Sequence, residues 1–227
     1  MKKKALLIIA VGFILSVNAQ EIKETTKSSS KTKEENTSYN IPFQLDQQVV
    51  SNHQTTIKGQ RIPYKATTGT MPVWDKEGKA LAGLFYTYYE RSDIKDQATR
   101  PLVISFNGGP GSASVWMEIA YTGPRLLNID DEGYPVQPYG IKENPYSILD
   151  VADIVYVNPV NTAYSRPLNK DIPDTTFFGV NADIKYLAEW IRGFVSRNNR
   201  WTSPKYLIGE SYGTTRVSGM SLFKGLE

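Results

Sequence analysis

Residues 203–216 read "SPKYLIGESYGTTR". Residues 205–208 are a short apolar run led by a lysine, and they predict a strand. Gly209-Glu210-Ser211-Tyr212-Gly213 follows at once and matches G-x-S-x-G, the pattern of a serine carried on a sharp strand-to-helix turn. Residues 212–224 predict the helix. Its N-terminal dipole and free N–H groups would face the serine. Gly209 and Gly213 flank the turn, where a β-carbon would crowd neighbouring elements. The same pattern also occurs in bland turns, so its neighbours decide the reading.

Two more buried runs lie upstream. "PLVISFNGG" predicts a continuous apolar strand over 102–106, ending in a glycine-rich turn, and "ADIVYVNP" predicts another over 154–157. Unbroken Val/Ile/Leu strands fit a parallel sheet covered on both faces. Val180, Ile184, Leu187, Ala188, Ile191, Phe194 and Val195 recur three and four apart, which predicts a helix between the last two strands. Residues 112–121 form a shorter helical candidate. Before these elements, 41–80 carry hairpin signals, and 83–90 are an aromatic-rich antiparallel candidate. The fold class is therefore α/β, with an N-terminal antiparallel β region.

Asn107-Gly108-Gly109-Pro110-Gly111 follows the first buried strand. Clustered glycines let backbone N–H groups converge on an anion, so the loop reads as half of an oxyanion hole, with the residue after the serine supplying the other half. A simple tight turn is the bland alternative. A phosphate-cradling loop fails, because the Lys-Ser/Thr pair is absent and Pro110 removes an N–H.

Composition narrows the chemistry. The 227 residues contain no cysteine and one histidine, His53. That excludes disulfides, thiolate nucleophiles and Cys-ligated metals, and argues against a His-based metal site. No cofactor is expected. The net charge is +3, and Lys2, Lys3 and Lys4 account for it, leaving 23 basic against 23 acidic residues. Nucleic acid is not an expected partner. Residues 1–19 have the layout of a signal peptide: three lysines, an apolar run over 5–17, and Val17-Asn18-Ala19 for cleavage. The run is too short to span a bilayer. An exported protein, periplasmic or extracellular, is expected, without stable membrane insertion after cleavage. Residues 20–40, rich in Lys, Glu, Ser and Thr, read as a disordered linker, and 41–227 as the folded domain.

"FNGGPGSAS", "GPR", "ENPYSILDVADIVYVNPV", "AYSRP" and "SPKYLIGESYG" together resemble the serine carboxypeptidases, of the α/β-hydrolase fold, over roughly residues 100–213. The likeness points to secreted bacterial members. It implies a sheet with helices on both faces and a peptide substrate with a free C-terminus. It implies Ser211 as the acylated nucleophile, and Gly109 and Tyr212 as the oxyanion-hole donors. Asn107, Gly108 and Glu210 would bind the substrate's terminal carboxylate. Glu210 beside that carboxylate implies a shared proton and a preference for acidic pH.

Three positions depart from the family's usual pattern. Ser112 stands where a cysteine is usual. Tyr121 stands where a glutamate commonly precedes the Gly-Pro pair, with Glu118 one helical turn away. Asn161 and Ala163, in "VNTAYS", replace glycines, which predicts a reshaped loop. The Tyr121 departure keeps an esterase or acyltransferase open, and a non-catalytic exported remnant is the third reading. The resemblance also puts the triad's acid and histidine downstream of the serine. No histidine follows Ser211 here, and His53, in "SNHQTT", reads as a solvated loop residue. This chain is therefore expected to be an N-terminal portion, truncated after the elbow helix and inactive by itself, with the strand before Ser211 as an exposed sheet edge.

Overall fold

The computed structural model describes residues 43–222. The segments read as signal peptide and linker, and the last residues of the expected 212–224 helix, lie outside them. A seven-stranded mixed sheet organises the rest. Strand β1 (Gln48–Ile57) pairs antiparallel with β2 (Gln60–Trp74), and β2 with β3 (Ala80–Arg91). The β1–β2 turn is the dipeptide Lys58-Gly59, with both φ angles positive, at 49° and 79°. That backbone twist matches the strands it joins, and glycine adopts it freely.

After β4 (Leu102–Phe106) the chain leaves the sheet for a small hairpin, β5 (Arg125–Leu127) and β6 (Ile141–Glu143). It returns as β7 (Asp153–Val157), which lies parallel to β4 and antiparallel to β3. The short β8 (Arg166–Pro167) pairs with β3. Helix α1 (Val180–Arg197) then crosses to β9 (Lys205–Gly209), on the other side of β4, and α2 (Tyr212–Ser221) follows. The order is β1-β2-β3-β7-β4-β9, so β9 is the sheet edge among the described residues, with Tyr206 exposed.

Side-chain alternation divides the core into two layers. Leu102, Ile104, Phe106, Val155 and Val157 face α1 and α2 and join Leu187, Ile191, Phe194 and Met220. On α1, Trp190 and Phe194 stack at 5.2 Å, and both meet Tyr86 edge-on. The opposite side chains, Val103, Ile154 and Tyr156, pack on Met117 and Ala152. The helical cover on that face is thin. The candidate over 112–121 is helical from residue 115 on, winding as a π-helix over Met117–Thr122. Among the described residues, no helix is long and apolar enough to cross a membrane.

A buried ionic cluster ties the N-terminal ends of the parallel strands. Asp153, fully buried, accepts from Arg100 and from Arg200, each at 2.8 Å. It also accepts from the backbone N–H of Arg91 at 2.9 Å. Arg200 donates further to the carbonyl of Arg100 and to the Ser203 hydroxyl. Replacing Asp153 with Ala leaves two buried guanidinium groups without a counter-charge. Loss of one partner from a buried pair costs about 3–5 kcal/mol. Denaturant unfolding of D153A is expected to show a loss of that size.

Candidate active site

The connections after β4 run in opposite directions, first to β7 on one side and then to β9 on the other. Such a switch point opens a crevice beyond the carboxyl ends of the strands. The parallel register between β4 and β9 ends at Phe106↔Gly209. The next residues on each strand are Asn107 and Glu210, and their side chains meet, with Asn107 Nδ2 donating to Glu210 Oε2 at 3.2 Å. The Glu210 N–H bonds the Phe106 carbonyl and carries the pairing into the turn. Asn107 is buried, and its Oδ1 accepts from the Met117 N–H at 3.0 Å. Its side chain therefore aims at Glu210 through bonds at both ends of its amide.

Ser211 sits at φ 54°, ψ −123°. This backbone region costs a non-glycine residue about 1–3 kcal/mol. The strain is held by contacts on three sides. A β-carbon on Gly209 would strike the Gly213 carbonyl. One on Gly213 would lie 2.9 Å from the Phe106 oxygen, and one on Gly108 would lie 2.6 Å from the Tyr212 nitrogen and 2.7 Å from Ser211 Cβ. The elbow and the Asn107–Gly111 loop thus touch backbone to backbone. The Ser211 side chain is exposed and does not cap α2, and its hydroxyl has no hydrogen-bond partner among the described residues. The N–H groups of Gly109 and Tyr212 have no hydrogen-bond partner among the described residues. All six candidate residues are brought to this one end of the sheet.

Ser114 fastens the loop to its neighbours. Its hydroxyl donates to the Val157 carbonyl at 2.6 Å, and its N–H donates to Asn158 Oδ1 at 2.7 Å. A cavity of about 160 Å³ borders the elbow, lined in part by Pro110, Val160, Phe177, Phe178 and Tyr212. A larger one of about 780 Å³ lies between α1 and the β2–β3 turn, by Trp74, Lys76, Lys185 and Glu189. None of its lining residues belongs to the elbow or the glycine loop, so the smaller cavity is the one with chemistry beside it.

His53 stands apart. It lies in β1 rather than in a loop, exposed, stacked on Tyr64 and hydrogen-bonded to Ser51. Five strand spacings of ~4.8 Å, or roughly 24 Å, separate β1 from β9. Glu118 is also turned away: it accepts from Tyr89 on β3 at 2.7 Å, two strands from β4. Burial raises its carboxyl above the ordinary range, and its bonds to Tyr89 and Thr87 only partly offset this. Tyr121, at the family's glutamate position, is exposed.

The serine carboxypeptidase family model matches residues 56–221. The chain belongs to the serine carboxypeptidase family. It is 28% identical over 144 residues to the Dictyostelium discoideum protein "Serine carboxypeptidase S10 family member 1", covering 63% of this chain and 32% of that one. It is 32% identical over 135 residues to "Serine carboxypeptidase-like 36" of Arabidopsis thaliana, covering 58% and 26%. Among solved structures it is similar to Kex1(delta)p, a prohormone-processing carboxypeptidase from Saccharomyces cerevisiae. The TM-score is 0.55 at 22% identity, over 69% of this chain and 33% of that one. This likeness carries the α/β-hydrolase fold. The chain spans about a quarter to a third of the length of these relatives.

The family's glycine positions in the 158–165 loop gain a structural meaning. Asn161 and Ala163 both have positive φ, at 63° and 44°. The two residues therefore adopt backbone conformations that glycine takes most easily. Bonds from the Asn161 N–H to the Ser165 carbonyl and from the Thr162 N–H to the Pro159 carbonyl close it.

Motif reading missed Arg216 and Asp183. Arg216, inside α2 and 1% exposed, donates to Asp183 Oδ2 at 2.6 Å and to the Asn107 carbonyl at 2.7 Å. A charged residue at 183, within the apolar stripe of α1, was the available signal for a buried pair. Burial pushes the Asp183 carboxyl up, and Arg216 opposes the shift.

Two stability measurements follow. Ala163→Gly removes a left-handed alanine and is expected to raise stability by up to about 1 kcal/mol in denaturant melts. Glu118 has a raised folded pKa, so its favourable contribution is complete below the unfolded carboxyl value, near ~4.3, and is lost as pH rises through the folded value. Glu118→Gln keeps an acceptor for Tyr89. It is expected to be more stable than wild type at neutral pH, with the difference vanishing under acid.

Proposed function

We propose that this chain carries the nucleophile, oxyanion hole and carboxylate-binding groups of a serine-type carboxypeptidase. The observation that carries the reading is the strained, exposed Ser211 against Gly108, beside two N–H groups without a partner among the described residues. In this reading Ser211 Oγ attacks the carbonyl of the last peptide bond and gives its proton to a general base. The oxyanion is held by the N–H groups of Gly109 and Tyr212. The C–N bond then breaks, the C-terminal amino acid leaves with a proton on its nitrogen, and water hydrolyses the acyl-enzyme. Asn107, the Gly108 backbone and Glu210 receive the terminal carboxylate, which shares a proton with Glu210 and favours turnover at acidic pH.

His53 is too distant to be the base, so this reading requires a general base other than His53. In the same reading the protein acts after export. An esterase or acyltransferase on the same scaffold is the second reading. It is favoured by exposed Tyr121 at the glutamate position and by Glu118 held on Tyr89.

A fluorophosphonate probe applied to the full reading frame is expected to label Ser211 and to leave Ser211→Ala unlabelled. Peptides with a free C-terminus are expected to be cleaved at least about tenfold faster than amidated ones, since the amidated terminus loses a charge-assisted contact worth about 1.5–3 kcal/mol. Equal cleavage of the two would sink the exopeptidase assignment.

A further inference from the structure

We propose that Arg216 is the positioning residue of the oxyanion hole, fixing the peptide planes on either side of the Gly109 donor. The inference rests on the serine-nucleophile reading of Ser211. The trans peptide unit is planar, with its N–H opposite its C=O, so a bond that fixes one carbonyl also aims the next residue's N–H. Arg216 Nη1 donates to the Asn107 carbonyl at 2.7 Å, which aims the Gly108 N–H. Its Nη2 donates to the Pro110 carbonyl at 2.6 Å, which aims the Gly111 N–H. Between them, the Gly108 carbonyl accepts from the Ser112 N–H at 3.1 Å, and this aims the Gly109 N–H itself. One guanidinium therefore holds the plane just before the one that carries the donor and, past the Gly109–Pro110 peptide, the next plane after it.

The other donor is held by the same side chain. Arg216 lies under the Tyr212 ring, 5.0 Å from guanidinium carbon to ring centroid, and Tyr212 supplies the second N–H. The guanidinium is itself fixed. Its Nε bonds Asp183 Oδ2 at 2.6 Å, and Asp183 Oδ1 accepts from the Tyr186 hydroxyl at 3.3 Å. That hydroxyl in turn accepts from the Val160 N–H at 3.1 Å. Helix α1, helix α2 and the glycine loop are thereby locked into one arrangement before substrate arrives. Lysine cannot take its place, because a single ammonium lacks the planar fork that spans two carbonyls and a carboxylate.

The test compares wild type and Arg216→Lys in the full reading frame. An oxyanion exists only in the transition state, so a misaimed donor lowers kcat and spares KM. A loss of about 10²–10³ in kcat, the scale of one lost oxyanion donor, is expected with KM within about threefold. A peptide aldehyde, whose adduct with Ser211 carries the oxyanion, is expected to bind weaker by a similar factor. The matching peptide alcohol, which forms no adduct, is expected to bind as before. Equal kcat in folded R216K, or parallel weakening of aldehyde and alcohol, overturns the inference. If R216K does not fold, Asp183→Asn is the second variant. It removes the counter-charge that anchors the guanidinium, and a kcat loss of about fivefold or more at unchanged KM is expected; an unchanged kcat overturns the inference. A wild-type protein that fails to react with a fluorophosphonate overturns the nucleophile reading itself, and this inference with it.

Discussion

Everything at the functional end of the sheet depends on backbone approaching backbone where no β-carbon fits. Gly108 lies against the Tyr212 nitrogen and Ser211 Cβ, Gly209 against the Gly213 carbonyl, and Gly213 against the Phe106 carbonyl. These contacts press the loop after β4 onto the turn after β9. They also hold Ser211 in a conformation that a free chain would avoid. A side chain at any of the three would force the backbone at this contact to shift.

The sheet is fastened at both ends by buried charge, in different ways. At the N-terminal end of the parallel strands, Asp153 gathers two arginines and a backbone N–H. At the C-terminal end, Asp183 and Arg216 form one pair whose remaining donors go to loop carbonyls. Buried ion pairs contribute little net stability, since desolvation offsets attraction. Their directional bonds nevertheless specify geometry, and at the C-terminal end that geometry is the shape of the glycine loop. Between the two ends, the apolar layer under α1 and α2 supplies the driving force.

Where the signal was local, the sequence was legible. The apolar run at 102–106 and the helical stripe from Val180 have the extents of β4 and α1, because burial on one face or two imposes its own period. The elbow and glycine loop were legible for a similar reason: close approach demands glycine at fixed spacing. The weaker readings were those set by partners distant in sequence. The segment over 112–121 is helical only from Val115 on and winds as a π-helix over Met117–Thr122, tied by its Met117 N–H to Asn107. His53 joined an edge strand because its neighbours pair with β2, which polar composition alone concealed. The loop at 161–163 takes positive φ angles without glycine, since hydrogen bonds around it outweigh local preference.

By itself, the sequence determined the order of strand, turn and helix, the identity of the nucleophile candidate, and the family. Each of these is written in contiguous residues whose spacing obeys local sterics. Only the tertiary structure decided which residues meet. The β4–β9 register set Asn107 beside Glu210, the strand order put His53 far from the elbow, and the packing of α1 on α2 joined Asp183 to Arg216. Those pairings span 33 to 103 residues of chain. No local rule reaches so far, because they are fixed by the burial of one sheet face beneath two helices rather than by neighbouring residues.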